Sequence, residues 1–201
     1  MKTAMIGAAF AVLSLSVPAL AATTTKYQVK GESASANFSQ YDGCNETSVY
    51  VSAYSNITKS QPGAPTSQKE AFVSYSNYNY CTGEGSYGYG SITNPNFTIN
   101  NSLSSASLND TFTVYDYLSG TNKTVNVALT WTGTGDTYRG NYHSHNQGPG
   151  YIYKYRGVGA WRDAQVSGSV TLDGTNLIAN LPLSYAQLGS SNSGSLEIIK
   201  K

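Results

Sequence analysis

The chain has 201 residues, twelve of them Lys or Arg and eleven Asp or Glu, with charged residues only 11% of the total. So few and so balanced charges point away from nucleic-acid or anionic-membrane binding, which needs a basic stripe. The regular recurrence of Tyr, Val, Leu and Ile sets the chain apart from disordered sequences.

In chain order, residues 1–21 read as a signal peptide. Lys2 is the one charge, residues 4–17 are apolar, Pro18 breaks the run, and Ala19-Leu20-Ala21 supplies the small residues of a cleavage site. The apolar run is shorter than the roughly 18–20 residues of a membrane helix, and Ala22 is taken as the first mature residue. Export to the periplasm or the medium of a bacterium is the expectation, with no membrane insertion after cleavage. Without Lys2 the basic and acidic residues balance at eleven each.

Residues 22–201 are expected to form one domain. Its two cysteines, Cys44 and Cys81, suit a disulfide in an oxidising compartment. Their spacing is wide for a metal or redox pair. Strand-like runs at 49–54 and 72–80 flank a loop with Pro62, Gly63 and Pro65. If Cys44 faces Cys81 across an antiparallel pair, Tyr50 falls opposite Tyr75 and Ser52 opposite Val73. A bridge between two stacked sheets fits the sequence equally well.

Residues 83–90 (Gly-Glu-Gly-Ser-Tyr-Gly-Tyr-Gly) are a Gly-interrupted edge strand or a loop. Residues 94–110 read as irregular, with Phe97 and Ile99 in a short strand. Phe112 and Val114, the turn at 119–122, and the alternation of Val125, Val127, Leu129 and Trp131 make a hairpin with one buried face. A second hairpin runs from Ala164 to Leu172, turns at Asp173-Gly174, and returns over 177–183. Residues 195–200 form a last strand. Many short strands with turns between them imply an antiparallel β-sandwich or jelly roll. A closed outer-membrane barrel fits less well, because few strands alternate over a long span and the chain ends in Lys200-Lys201.

Residues 136–163 are chemically unlike the rest, holding all three Arg and both His beside several aromatics, with Gly148-Pro149-Gly150 as a tip. Aromatic faces stack on sugar rings, and Arg bonds carboxylates or hydroxyls in its plane. Tyr138, Arg139, His143, His145, Tyr153, Arg156 and Trp161 are therefore the expected ligand-binding residues. The plainer explanation is a Tyr-rich hairpin whose rings only cover neighbouring strands.

His143 and His145 share a strand face but lack an obvious third ligand, so no metal site is assigned. No serine sits in a Gly-x-Ser-x-Gly motif. Asp136 and Asp163 are the one carboxylate pair in the region, and a glycosidase would need such a pair about 5–10 Å apart. No catalytic residue and no cofactor are assigned. The leading expectation is a secreted, non-catalytic binding module for an extracellular glycan or surface protein. A structural protein of the envelope or matrix and a polysaccharide lyase or hydrolase are the alternatives.

Overall fold

Strands that alternate apolar and polar residues bury one face and leave the other wet, and that rhythm builds this protein. The structure is a computed structural model that describes residues 22–199. The expected signal peptide, residues 1–21, lies outside the described residues. Eleven strands follow in order: β1 (Thr23–Tyr41), β2 (Asn45–Gln61), β3 (Thr66–Asn79), β4 (Glu84–Thr93), β5 (Phe97–Ile99), β6 (Ser105–Asp116), β7 (Thr121–Gly133), β8 (Tyr138–Gly148), β9 (Tyr151–Leu172), β10 (Thr175–Asn176) and β11 (Leu183–Ile199). Every pairing is antiparallel and all eleven strands join one sheet. The all-β, antiparallel, single-domain expectation is met.

The sheet closes on itself through β9–β11–β1–β2–β3–β4–β6–β7 and back to β9. The two layers of this sandwich-like domain are thus opposite walls of one ring. Trp131 spans them: its Nε1 donates to the Ser35 carbonyl at 2.9 Å, although β7 and β1 are not ladder neighbours. The core it shares includes Ala34, Ala36, Val49, Val51, Val73, Leu108, Phe112, Val125, Val127, Leu129 and Leu188, all buried.

The seam between β4 and β6 is the weak one, with two paired positions. A buried polar latch closes it. Tyr75 Oη donates to Asp116 Oδ2 at 2.5 Å, the Ser119 amide and hydroxyl both donate to Asp116 Oδ1 at 2.8 Å, and Lys123 Nζ lies 3.3 Å from Oδ2. These bonds, Tyr75's foremost, hold the Asp116 carboxyl well below the usual carboxylate range. Burial, with the Asp116 bond second, pushes the Tyr75 phenol up. Gly88 is the position over which the Tyr75 ring lies, and a side chain there would strike it.

Cys44 and Cys81 are bridged, and the strands they flank, β2 and β3, pair directly. The hairpin version of the disulfide is therefore the observed one. Closing a loop of 37 residues this way stabilises by roughly 4 kcal/mol in chain-entropy terms. A disulfide also implies an oxidising, periplasmic or extracellular environment.

The expected register is off by one: Tyr50 lies opposite Ser74 and Tyr75 opposite Val49, while Ser52 meets Phe72. The cysteines sit in turns beyond the ladder, so their bridge does not mark a paired position. The observed register puts Val49, Val51, Val73 and Tyr75 on the buried face, and a one-residue slip would expose them.

Three other expectations change. Residues 84–93 are a full strand, and 105–110 belong to β6 rather than to an irregular stretch. The return over 177–183 is not a strand. The ladder with β9 stops at β10, just before it, where Asn176 Oδ1 accepts from the Val170 and Ile178 amides at 3.2 and 3.3 Å and turns the chain. Ile178 then enters the core, and Leu183 starts β11 beside β1.

Candidate functional site

Several strands overshoot the ring. β9 pairs with β7 over 164–172 but with β8 and β11 over its first half. The overshooting parts of β8, β9, β11, β1 and β2 form an open extension, five strands wide, with both faces in water. Directly paired residues in an antiparallel sheet share a face, so the register assigns each side chain.

One face, continuous with the outside of the ring, carries the aromatics. The Tyr138 and Trp161 rings stack with centroids 6.3 Å apart, and Tyr142 and Tyr155 lie 5.7 Å apart. Between these pairs runs a row of small residues across five strands: Gly140, Gly159, Ser191, Gly31 and Asn56. The spacing between strands makes that row about 19 Å long.

Two adjoining hollows of about 460 and 170 Å³ lie along this row and share Gly159, Trp161 and Ser191 as lining. The Trp161 indole leans over Gly140, 3.3 Å from where a Cβ would sit, and the Tyr155 hydroxyl reaches over Gly157 at 3.0 Å. A Cβ at Gly159 would meet nothing nearer than the Ser190 carbonyl at 3.8 Å. The result is a glycine-floored trough with aromatic walls. At its far end Tyr54 donates to Glu70, and Gln68 Nε2 donates to the Tyr54 hydroxyl at 3.2 Å. The Glu70 bond is the main cause that raises the Tyr54 phenol above its ordinary range.

The opposite face carries the charges. Lys59, Gln28, Gly194, Arg156 and His143 form one row, and Gln61, Lys26, Leu196, Lys154 and His145 the next. Arg139 and Lys30 lie on the same face.

The seven expected ligand-binding residues therefore divide. Tyr138, Tyr153 and Trp161 belong to the aromatic face, whereas Arg139, His143, His145 and Arg156 belong to the charged one. They form no single constellation. The reason is the turn: Pro149 and Gly150 alone separate β8 from β9, so an even-numbered residue on β8 pairs with an odd-numbered one on β9. Among the described residues no three His, Cys, Asp or Glu side chains come together at a metal-sized site. Asp163 is in β9, and Asp136 lies in the loop before β8.

The trough's remaining members, Gly31, Asn56, Tyr54, Gly189 and Ser191, come from strands outside the 136–163 window. For β11 the sequence signal is small residues at every second position, Gly189-Ser-Ser191-Asn-Ser193, which strips one face of a strand while the other keeps its side chains.

No family profile matches the chain, and no curated protein matches it in sequence. Among solved structures, a crystal structure of a candidate AttH protein from Nitrosomonas europaea aligns at 11% identity over 89% of this chain, with a TM-score of 0.22. The chain spans about half of that protein, 51%.

Proposed function

We propose that this protein is an exported, non-catalytic glycan-binding module whose site is the glycine-floored trough on the aromatic face. The observation that carries this is the coincidence of stacked rings with a floor from which side chains are missing. Rings such as Trp161 and Tyr142 present flat apolar faces with polar edges, the chemistry that suits a sugar ring with hydroxyls at its rim. Ser191 and Asn56 supply donors and acceptors along the same row, and Gln68 continues it onto β3. A trough about 19 Å long and open at the surface suits a chain more than a single sugar. A rigid sheet rather than a loop holds the rings, which lowers the ordering cost of binding. The disulfide agrees with the export that residues 1–21 suggest.

The test is titration with a panel of soluble neutral polysaccharides, followed by Trp fluorescence and calorimetry. Trp161→Ala is expected to lower affinity at least tenfold for the glycan that binds, with the circular dichroism spectrum unchanged. Equal affinity of the variant, or no binding across the panel, would sink the proposal.

The envelope or matrix alternative has one observation in its favour, the outer edge of β8, which pairs with no strand among the described residues. That edge strand carries Arg139, however, and charge on an edge strand opposes pairing with a second copy.

A further inference from the structure

We infer that the face opposite the trough is a second binding surface, one that holds a linear acidic polysaccharide. The inference stands independently of the trough. Although the whole chain is formally +1, the register sorts its charges by face. Among the described residues of the extension, Lys26, Lys30, Lys59, Arg139, Lys154 and Arg156 share one side with a single carboxylate, Glu32, whereas the other side holds Glu197 and Asp163, with Glu70 on the adjoining β3, and no Lys or Arg. Glu32 is spoken for by Lys30, 3.8 Å away. Among the described residues Lys26, Lys59, Lys154 and Arg156 have no ion-pair partner, and all four are exposed. The charge-poor sequence hides this patch because its members come from four strands far apart in the chain.

The patch is also shaped. A groove of about 700 Å³ lies over it, lined by Lys26, Lys59, Lys154 and Arg156 with Gly194 and Leu196 between them. Gly194 leaves the middle of one row without a side chain, so that Gln28, with Lys59 beyond it, and Arg156 stand on either side of a gap. His143 and His145 continue the two rows onto β8. A polymer laid across the strands would meet cations over about 14 Å, from Lys59 on β2 to Arg156 on β9, at steps set by the roughly 4.8 Å strand spacing. Arg156 offers a planar fork to a carboxylate or sulfate, and the lysines act as point charges.

Other polyanions fit less well. Single-stranded nucleic acid is gripped by cations interleaved with stacking aromatics, and here the aromatics point the opposite way. A broad flat sheet does not enter a duplex groove about 12 Å wide. Membrane surfaces call for an apolar face set beneath the charges, whereas Lys26, Lys59, Lys154 and Arg156 project from the same face as the few aliphatics. The disulfide places the chain in a compartment where acidic polysaccharides are exposed.

The experiment measures binding of the full mature chain to polygalacturonate, dextran sulfate and neutral dextran over a range of salt concentration. Vesicles containing phosphatidylserine and an oligo-dT strand are run in parallel. Binding to one or both acidic polymers, not to neutral dextran, and falling steeply with salt is expected; the arm that binds identifies carboxylate or sulfate. K59E/R156E is expected to weaken that binding at least tenfold, and K26Q/K154Q by a smaller factor, with melting unchanged. Trp161→Ala is expected to leave it intact, which separates this surface from the trough. The inference is overturned if neither acidic polymer binds at low salt, if the charge-reversal pair binds as wild type does, or if vesicles or oligo-dT bind as tightly as the polysaccharides.

Discussion

The closed ring and the open extension are built from the same strands, yet they obey different rules. Ala34, Ala36 and Phe38 in the ring half of β1 are buried, whereas Lys26, Tyr27 and Gln28 in the other half are exposed. β9 changes in the same way, from Val170 in the core to Tyr153 and Arg156 in water. A strand whose inner face meets an opposite wall must be apolar there. One that meets no wall is free to carry other chemistry on each side, provided that its ladder is maintained by its neighbours. The ring therefore supplies stability, and the extension is where binding chemistry can accumulate at little cost to the fold.

The sharpest test of this division replaces one tryptophan in each part. Trp131 is fully buried and donates across the core, so Trp131→Ala is expected to cost about 3–5 kcal/mol in urea or guanidinium unfolding. Trp161 is 39% exposed and rests on Tyr138 and Gly140, so its replacement by alanine should stay within about 1 kcal/mol. Comparable losses at both positions would mean that the extension is part of the core, and the comparison would fail.

A smaller effect is expected at the latch. Tyr75→Phe leaves Asp116 without its shortest bond at the seam where β4 and β6 barely pair, at a cost of about 1.5–3 kcal/mol. The pH dependence follows from the shifts. Asp116 is depressed in the fold, so its contribution is present above the unfolded carboxylate value of about 4 and is lost as pH falls below it. Tyr75 is raised, so its contribution is present below about pH 10, the unfolded phenol value, and is lost as pH climbs beyond. Thermal melts from pH 2 to 11 should show both losses in wild type and a shallower acid limb in Tyr75→Phe. Identical profiles would remove the latch from the account of the closed ring.

These contrasts also explain what the sequence makes legible. Val125, Val127, Leu129 and Trp131 announce a half-buried strand, because period-two alternation is local and survives any topology. Cys44 and Cys81 announce a disulfide but leave a β2–β3 hairpin and an inter-sheet bridge equally open, and they do not give the register, since turn residues set the bridge and side-chain burial sets the ladder. Tyr138 and Trp161 stand out as aromatics, and the two-residue turn at Pro149-Gly150 already implies that they share a face from which Arg139, His143 and Arg156 are excluded. Gly31, Asn56 and Ser191 carry no such mark. They join Gly140 and Gly159 only when β1, β2 and β11 fall into register beside β9, through pairings between residues far apart in the chain. The cationic patch is hidden for the same reason. Asp116 looks like an ordinary turn residue until Tyr75, 41 positions away, reaches it.

The smallest expected effect on stability is the most pointed, because it uses one residue type in two settings. In the ring, a methyl group at Gly88 would collide with the Tyr75 ring, and Gly88→Ala should cost about 1–3 kcal/mol through overpacking. In the extension, a Cβ at Gly159 has open space above the trough floor. A strand interior favours a β-branched side chain over glycine, so Gly159→Val should leave stability unchanged or raise it by up to roughly 0.5 kcal/mol. Its γ-methyls would stand in the middle of the trough, beside Trp161 and Ser191. Glycan affinity, measured by the same fluorescence titration, should fall at least tenfold while the melting temperature holds or rises. If Gly159→Val instead unfolds the protein, that glycine serves packing and the trough is an accident of it. If it melts normally and binds as wild type does, the floor is not where a ligand lies.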